Sequence, residues 1–343
     1  MSTAQQLLAS GASPASYIAV AHPGSPFITV YPWSNLGFGT KFADPATLPG
    51  GDGRDVAFSP GGTEIAVIHY GAPSISAYSW SSSGFGTKFA NPATAIATGG
   101  LEGVFSPTGT VIAVAHIAPP FISVFPWSGA GFGVKFADPS TLPTNLGYGV
   151  AFSPAGTEIA VGHANSPFVS VYPWSGSGFG TKFTNPTTLP AGTGYALAFS
   201  PNGTTIAISH DITPFISVYA WSSSGFGSRF TNPATLPTGT ANGVAISPAG
   251  SEIVVAHNSS PFVSAYPWSG AGFGVKLANP TVLPTWSCAG VAFSSAGTEI
   301  ALGHDGPPYI SAYTWSSSGF GTKFADPATV LPSTGGGVAF LTT

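Results

Sequence analysis

Seven histidines, all that the chain contains, stand 47 residues apart: His22, His69, His116, His163, His210, His257 and His304. Imidazole binds metals, moves protons and hydrogen-bonds in interiors, so such a ladder is either seven ligand sites or seven copies of one structural bond. Zinc holds each nitrogen within about 2.1 Å, whereas packed sheets lie about 10 Å apart, so equivalent histidines of neighbouring repeats cannot share an ion. Within a repeat, Asp211 and Asp305 follow their histidines, but His22, His116 and His163 have no such partner. The ring is expected to be structural and metal-free. Each imidazole is expected to be half-buried and bonded to the next loop, around the "ADPxTLP" stretch.

The other titratable groups offer little chemistry. Asp44, Asp138 and Asp326 share a repeat position with Asn91, Asn185, Asn232 and Asn279, which suits a turn cap. Glu64, Glu158, Glu252 and Glu299 each follow an "SPxGT"-type turn and read as solvated. No GxSxG, HExxH, phosphate loop or paired-cysteine motif occurs, and the solitary Cys288 excludes an internal disulfide framework. Catalysis needs an asymmetric constellation, and these charges recur and scatter. No enzyme activity and no cofactor are expected.

The elements that carry these residues also recur. Trp33, Trp80, Trp127, Trp174, Trp221, Trp268 and Trp315 keep the 47-residue step, as do Lys41, Lys88, Lys135, Lys182, Arg229, Lys276 and Lys323. Each copy holds four strand-like runs, "YGVAFSP", "EIAVGH", "FVSVYPW" and "GFGTKF" in the fourth, separated by Gly-, Pro-, Ser- and Asn-rich turns. Four strands per copy with no room for helices predict an all-β, seven-bladed β-propeller with four antiparallel strands per blade. The first copy lacks its "VAFSP" run, and "GGGVAF" stands alone at 335–340, so the C-terminal strand should complete blade 1. Residues 1–15 read as an N-terminal arm and 16–343 as one propeller domain.

The "VAFSPxGTxIAVG" stretch resembles the first hairpin of WD-repeat propellers, although Trp-Asp is replaced by Trp-Ser and no Gly-His precedes the first strand. That resemblance implies "VAFSP" as the inner strand and "GFGTKF" as the outer one. The lysines would then guard an unpaired edge, and the tryptophans would fill the space between blades with each indole N–H on a nearby carbonyl. Units with "SPF", "YPWS" and "GFG" also resemble propeller proteins of tailed bacteriophages, which implies a virion component.

Positions that refuse to repeat are the candidates for binding, because the fold alone accepts the consensus residue. Just before the inner strands stand Arg54, Asp55, Glu102, Tyr148 and Tyr195, with Trp286 nearby. These should rim the central channel on one face, with Tyr70, Ile117, Asp211 and Asp305 farther out. Tyr, Trp and Arg are frequent binding anchors.

Charged residues form only 6% of the chain and the net charge is −4, which removes the basic footprint of a nucleic-acid binder. No run of about 18 apolar residues exists, and the first residues lack a signal peptide's charged start and apolar core. The expectation is a non-enzymatic structural and binding module of a phage particle, with virion proteins or a host-surface receptor as partners and no membrane insertion. A carbohydrate-binding lectin with one glycan site per blade and a cytoplasmic interaction scaffold are the alternatives.

Overall fold

The computed structural model describes residues 16–342, so the arm expected over 1–15 lies outside the described residues. Seven four-stranded antiparallel sheets are arranged as blades, and the described residues contain no helix, hence none long and apolar enough to cross a membrane. In blade 2 the inner, second, third and outer strands are Gly53–Phe58, Glu64–His69, Ile75–Ser81 and Gly84–Lys88. The inner strands of blades 3 to 7 are Gly100–Phe105, Gly147–Phe152, Gly194–Phe199, Ala241–Ile246 and Cys288–Phe293.

Blade 1 takes its inner strand from the other end of the chain. Val338–Thr342 pairs antiparallel with Ser16–Ala21, setting Phe340 opposite Ile18 and Val338 opposite Val20. Neighbouring inner strands touch all the way round the ring, including blade 7 to blade 1 and blade 1 to blade 2.

Every blade has two covered faces, which is why its second strand is apolar without alternation. In Ser16–Ala21, Ala19 and Ala21 pack with Val56, Ile65 and Val67 of blade 2, while Ile18 and Val20 pack with Ala301, Ile310 and Ala312 of blade 7. The ring tryptophans are buried between blades, edge to face with two to four aromatic rings; Trp33 meets Phe38 at 5.0 Å, Phe324 at 4.9 Å and Phe340 at 5.5 Å. The expected carbonyl for each indole N–H is corrected: buried Nε1 of Trp80, Trp127 and Trp315 has no hydrogen-bond partner.

A ring of tyrosines does make that kind of bond. Tyr31, Tyr78, Tyr172, Tyr219, Tyr266 and Tyr313 donate their hydroxyls to carbonyls of the preceding inter-blade connection at 2.6–2.9 Å. Six blades are thereby clasped to the chain that leads into them, and blade 3 carries Phe125 in place of the tyrosine.

The outer strands are unequal. They run five residues in blades 2, 5 and 7 but only two in blades 1, 3, 4 and 6. The residue before the ring tryptophan separates the groups: Ser79, Ala220 and Thr314 in the long ones, Pro32, Pro126, Pro173 and Pro267 in the short ones. Trp80 N–H turns inward to Thr63 O at 2.7 Å, so the N–H one residue earlier faces the outer strand. Proline removes that donor, and the pairing stops. Consequently only Lys88, Arg229 and Lys323 end a paired outer strand. The Asp/Asn position three residues on receives the basic side chain instead of capping a turn alone: Lys41, Lys135 and Lys323 pair with Asp44, Asp138 and Asp326. Arg229 likewise reaches Asn232 at 2.8 Å.

The histidines close the second strands and are fully buried, not half-buried. Each Nε2 lies 2.9–3.0 Å from the hydroxyl seven residues on, Thr29 for His22 and Ser76, Ser123, Ser170, Ser217, Ser264 or Ser311 for the others. Nδ1 of His22, His69, His163, His210 and His257 meets the carbonyl two residues on at 2.7–2.9 Å. A carbonyl only accepts, so Nδ1 carries the proton and Nε2 accepts from the hydroxyl. The staple joins each histidine to its own hairpin. The inter-blade linker adds the Gly50 N–H, which donates to His69 Nε2 at 3.4 Å as expected of the "ADPxTLP" stretch, and Thr144, Thr238 and Thr285, at 3.2–3.4 Å from Nδ1 of His163, His257 and His304.

Candidate active site

The inner strands begin on β-bulges. In blade 2 Gly53 faces His69 and Asp55 faces Ile68, which leaves Arg54 without a partner. The same slip frees Leu101, Tyr148, Asn242 and Ala289, and in blade 5 it widens to free both Tyr195 and Ala196. A bulge re-aims a side chain away from the sheet, and here the freed positions line one central cavity of about 800 Å³. Positions that vary between copies therefore coincide with positions the backbone turns toward the axis.

Arg54, Asp55, Glu102, Tyr148, Tyr195 and Asp305 all line that cavity. The others do not. Tyr70 lies under Arg54, its ring centre 5.4 Å from the guanidinium carbon, and Asp52 lies 3.9 Å from the same group. Asp211 accepts the Thr193 N–H at 2.9 Å and so holds a loop. Trp286 stands 64% exposed outside the cavity. Asn242 also lines the cavity and donates to Cys288 O at 2.9 Å; its variability in the repeat was the signal available for it.

Asp55 and Glu102 occupy one repeat position in adjacent blades, and there the ring brings them together. Asp55 Oδ2 accepts the Gly103 N–H of blade 3 at 3.0 Å, and Glu102 in turn takes the Val150 N–H of blade 4. Each acid thus bridges to the next inner strand. Burial pushes the Asp55 carboxyl up to about 6 against the pull of these N–H groups. Burial, and then the charge of Asp55, holds Glu102 well above the usual carboxylate range. The expectation that the carboxylates do not converge is corrected. The 10 Å sheet spacing holds at mid-blade, but blades are wedges and their inner edges approach at the axis.

Glycine makes room for the pair. A Cβ on Gly149 would stand 3.1 Å from Glu102 Oε2, and one on Gly337 would overlap Asp55 Oδ1 and lie 2.8 Å from its Cα. Gly337→Ala is expected to displace the Asp55 carboxyl and lower stability by about 1–3 kcal/mol, read from a guanidinium unfolding curve. An unchanged midpoint would mean that this contact is slack.

No protein-family model matches the chain, and no curated protein is detectably similar to it. Solved structures do superpose. A Bacteroides fragilis protein provisionally assigned as a 6-phosphogluconolactonase aligns with a TM-score of 0.76 at 12% identity, over 97% of this chain and 99% of its own. The periplasmic gluconolactonase of Pseudomonas aeruginosa aligns at 0.66 and 14% identity, over 95% and 99%. Hydrazine synthase of Kuenenia stuttgartiensis aligns at 0.60 and 13% identity, over 79% and 78%. At such identities the likeness concerns the fold.

These neighbours correct the expectation of a non-enzymatic phage or binding module. Chains that share this architecture along their whole length include a gluconolactonase. The physical reason lies in the cavity. Its two acids break the sevenfold symmetry and differ in acidity, the asymmetric constellation that the sequence had seemed to lack.

Proposed function

We propose that the chain is a hydrolase that opens a cyclic ester, of the sugar-lactone type, at the mouth of the central channel. The observation that carries this reading is the Asp55–Glu102 pair, two carboxyls whose surroundings set their acidities apart in one cavity. Asp55, the more acidic, is the base: it takes a proton from water as the water oxygen bonds to the lactone carbonyl carbon. Glu102, held protonated, gives its proton to the ring oxygen as the C–O bond breaks. The product is the open hydroxy acid, and proton exchange with solvent restores the pair. Arg54, at the rim beside them, offers a positive charge to an anionic substituent. The lactonases among the structural neighbours support the choice of substrate.

The test is hydrolysis of glucono-δ-lactone and its 6-phosphate, followed by pH-stat. Asp55→Asn and Glu102→Gln are each expected to lower kcat/KM by about 10²–10⁴ with the fold intact by circular dichroism. The wild-type rate should rise with pH through about 6, as Asp55 ionises, and fall again where Glu102 loses its proton. Turnover no faster than the spontaneous reaction, or unaffected by both substitutions, would remove this reading.

A further inference from the structure

The channel mouth is unlike on its different sides. Following the ring of inner strands, blades 4 and 5 lie opposite blade 1, three steps away in either direction. Blades 4 and 5 present Tyr148 and Tyr195, edge to face with ring centres 4.9 Å apart. Blade 1 presents Gly335, Gly336 and Gly337, which contribute no side chain. One flank between them carries Asp55 and Glu102, and the other Asn242 and Ala289. An aromatic wall faces bare backbone across the axis, with the acids to one side.

We infer that Tyr148 and Tyr195 form a stacking wall that selects a ring-shaped substrate, laying the C–H face of a five- or six-membered lactone on one ring that the other supports edge-on, so that its carbonyl turns toward Asp55 and Glu102. The inference rests on the lactone-hydrolase reading and names what the site discriminates: cyclic esters over open-chain esters. Tyrosine suits the task, since it offers a large rigid face with few rotors and a polar tip that stays wet. The other copies show that the fold does not require it, because the same bulge position holds Leu101, Ala289 or Gly336 elsewhere. Tyr148 and Tyr195 are positioning residues and take no proton from the substrate.

The experiment separates ring binding from turnover. Glucono-δ-lactam, which keeps the six-membered ring but carries an amide, is titrated into the protein by calorimetry. Wild type and Tyr148→Phe/Tyr195→Phe are expected to bind alike, and Tyr148→Ala/Tyr195→Ala about tenfold more weakly, with unchanged melting curves. In kinetics the alanine variant should raise KM for the lactone about tenfold and leave kcat within twofold, while the phenylalanine variant should keep the wild-type KM. Equal lactam affinity in wild type and alanine variant overturns the inference, as does absence of lactam binding by the wild type. Lactam binding that depends on both rings without lactone turnover supports the wall and counts against the hydrolase reading alone.

Discussion

Lowering the pH from 7 to 5 is expected to destabilise the propeller by on the order of 10 kcal/mol, a loss comparable to the whole stability of an ordinary domain. All seven histidines are buried, and burial lowers each to about 4 from an ordinary 6.5. Burial sets the sign, because the interior disfavours the charged imidazolium more than the carbonyl bonds favour it. In five of the seven Nδ1 already donates to a carbonyl, so a second proton on Nε2 would face a hydroxyl that must turn round. Between about 4 and 6.5 the unfolded chain binds protons that the folded chain refuses. Stability is therefore full above pH 6.5 and falls as the pH drops, by about 2 kcal/mol per histidine at pH 5. Asp55 and Glu102 act in the opposite direction: the raised Asp55 carboxyl favours the folded state until the pH rises through about 6, and the raised Glu102 carboxyl acts in the same sense. Two groups against seven do not reverse the trend. Guanidinium midpoints measured from pH 4 to pH 7 should report an uptake of several protons on unfolding. An uptake near zero would show that the imidazoles titrate normally.

Removal of residues 338–343 is expected to prevent a stable monomer. Val338 and Leu341 are buried between blades, Phe340 stands against Trp33, and the segment supplies the inner partner of Ser16–Ala21. Burying a Val, Leu or Phe side chain is worth roughly 1.5–3 kcal/mol, so three of them contribute on the order of 6 kcal/mol before the lost ladder is counted. The truncated chain also exposes an unpaired strand edge in blade 1 and a gap facing blades 2 and 7, which favours association between chains. A circular permutant that starts at Gly335, runs through Thr343 into Met1 and ends at Thr334 keeps every pairing of Val338–Thr342 with Ser16–Ala21. It should melt near the wild type, while the truncation should appear as soluble aggregate or unfolded chain by size exclusion and circular dichroism. A truncated monomer melting within a few degrees of the wild type would show that the other six blades hold the ring without closure.

Much of this architecture is readable without coordinates. The 47-residue step, four apolar runs per copy and the displaced "GGGVAF" lead to seven blades and to closure by Val338–Thr342, because strand pairing leaves that segment one vacant edge. The length of each outer strand was equally present in the text, as Pro32, Pro126, Pro173 and Pro267 against Ser79, Ala220 and Thr314. Reading it requires knowing which way that one N–H points, which follows from the register of the strands. The partners of the histidines, Thr29 and six serines seven residues on, keep the same 47-residue step, but that ring and hydroxyl meet follows only from the pairing of the two strands of the hairpin.

The candidate site divides in the same way. Variation among the copies singled out Arg54, Asp55, Glu102, Tyr148 and Tyr195, and all five line the channel. Their convergence was missed, because residues one repeat apart were placed at the spacing of sheets packed face to face. By itself the sequence determined what is local and periodic: strand chemistry, blade number, the closing strand and the places where symmetry fails. Tertiary structure decided what depends on distance from the axis. A ring of wedges brings equivalent residues together only at its centre, and there Asp55 and Glu102, each just past a bulge, become a pair.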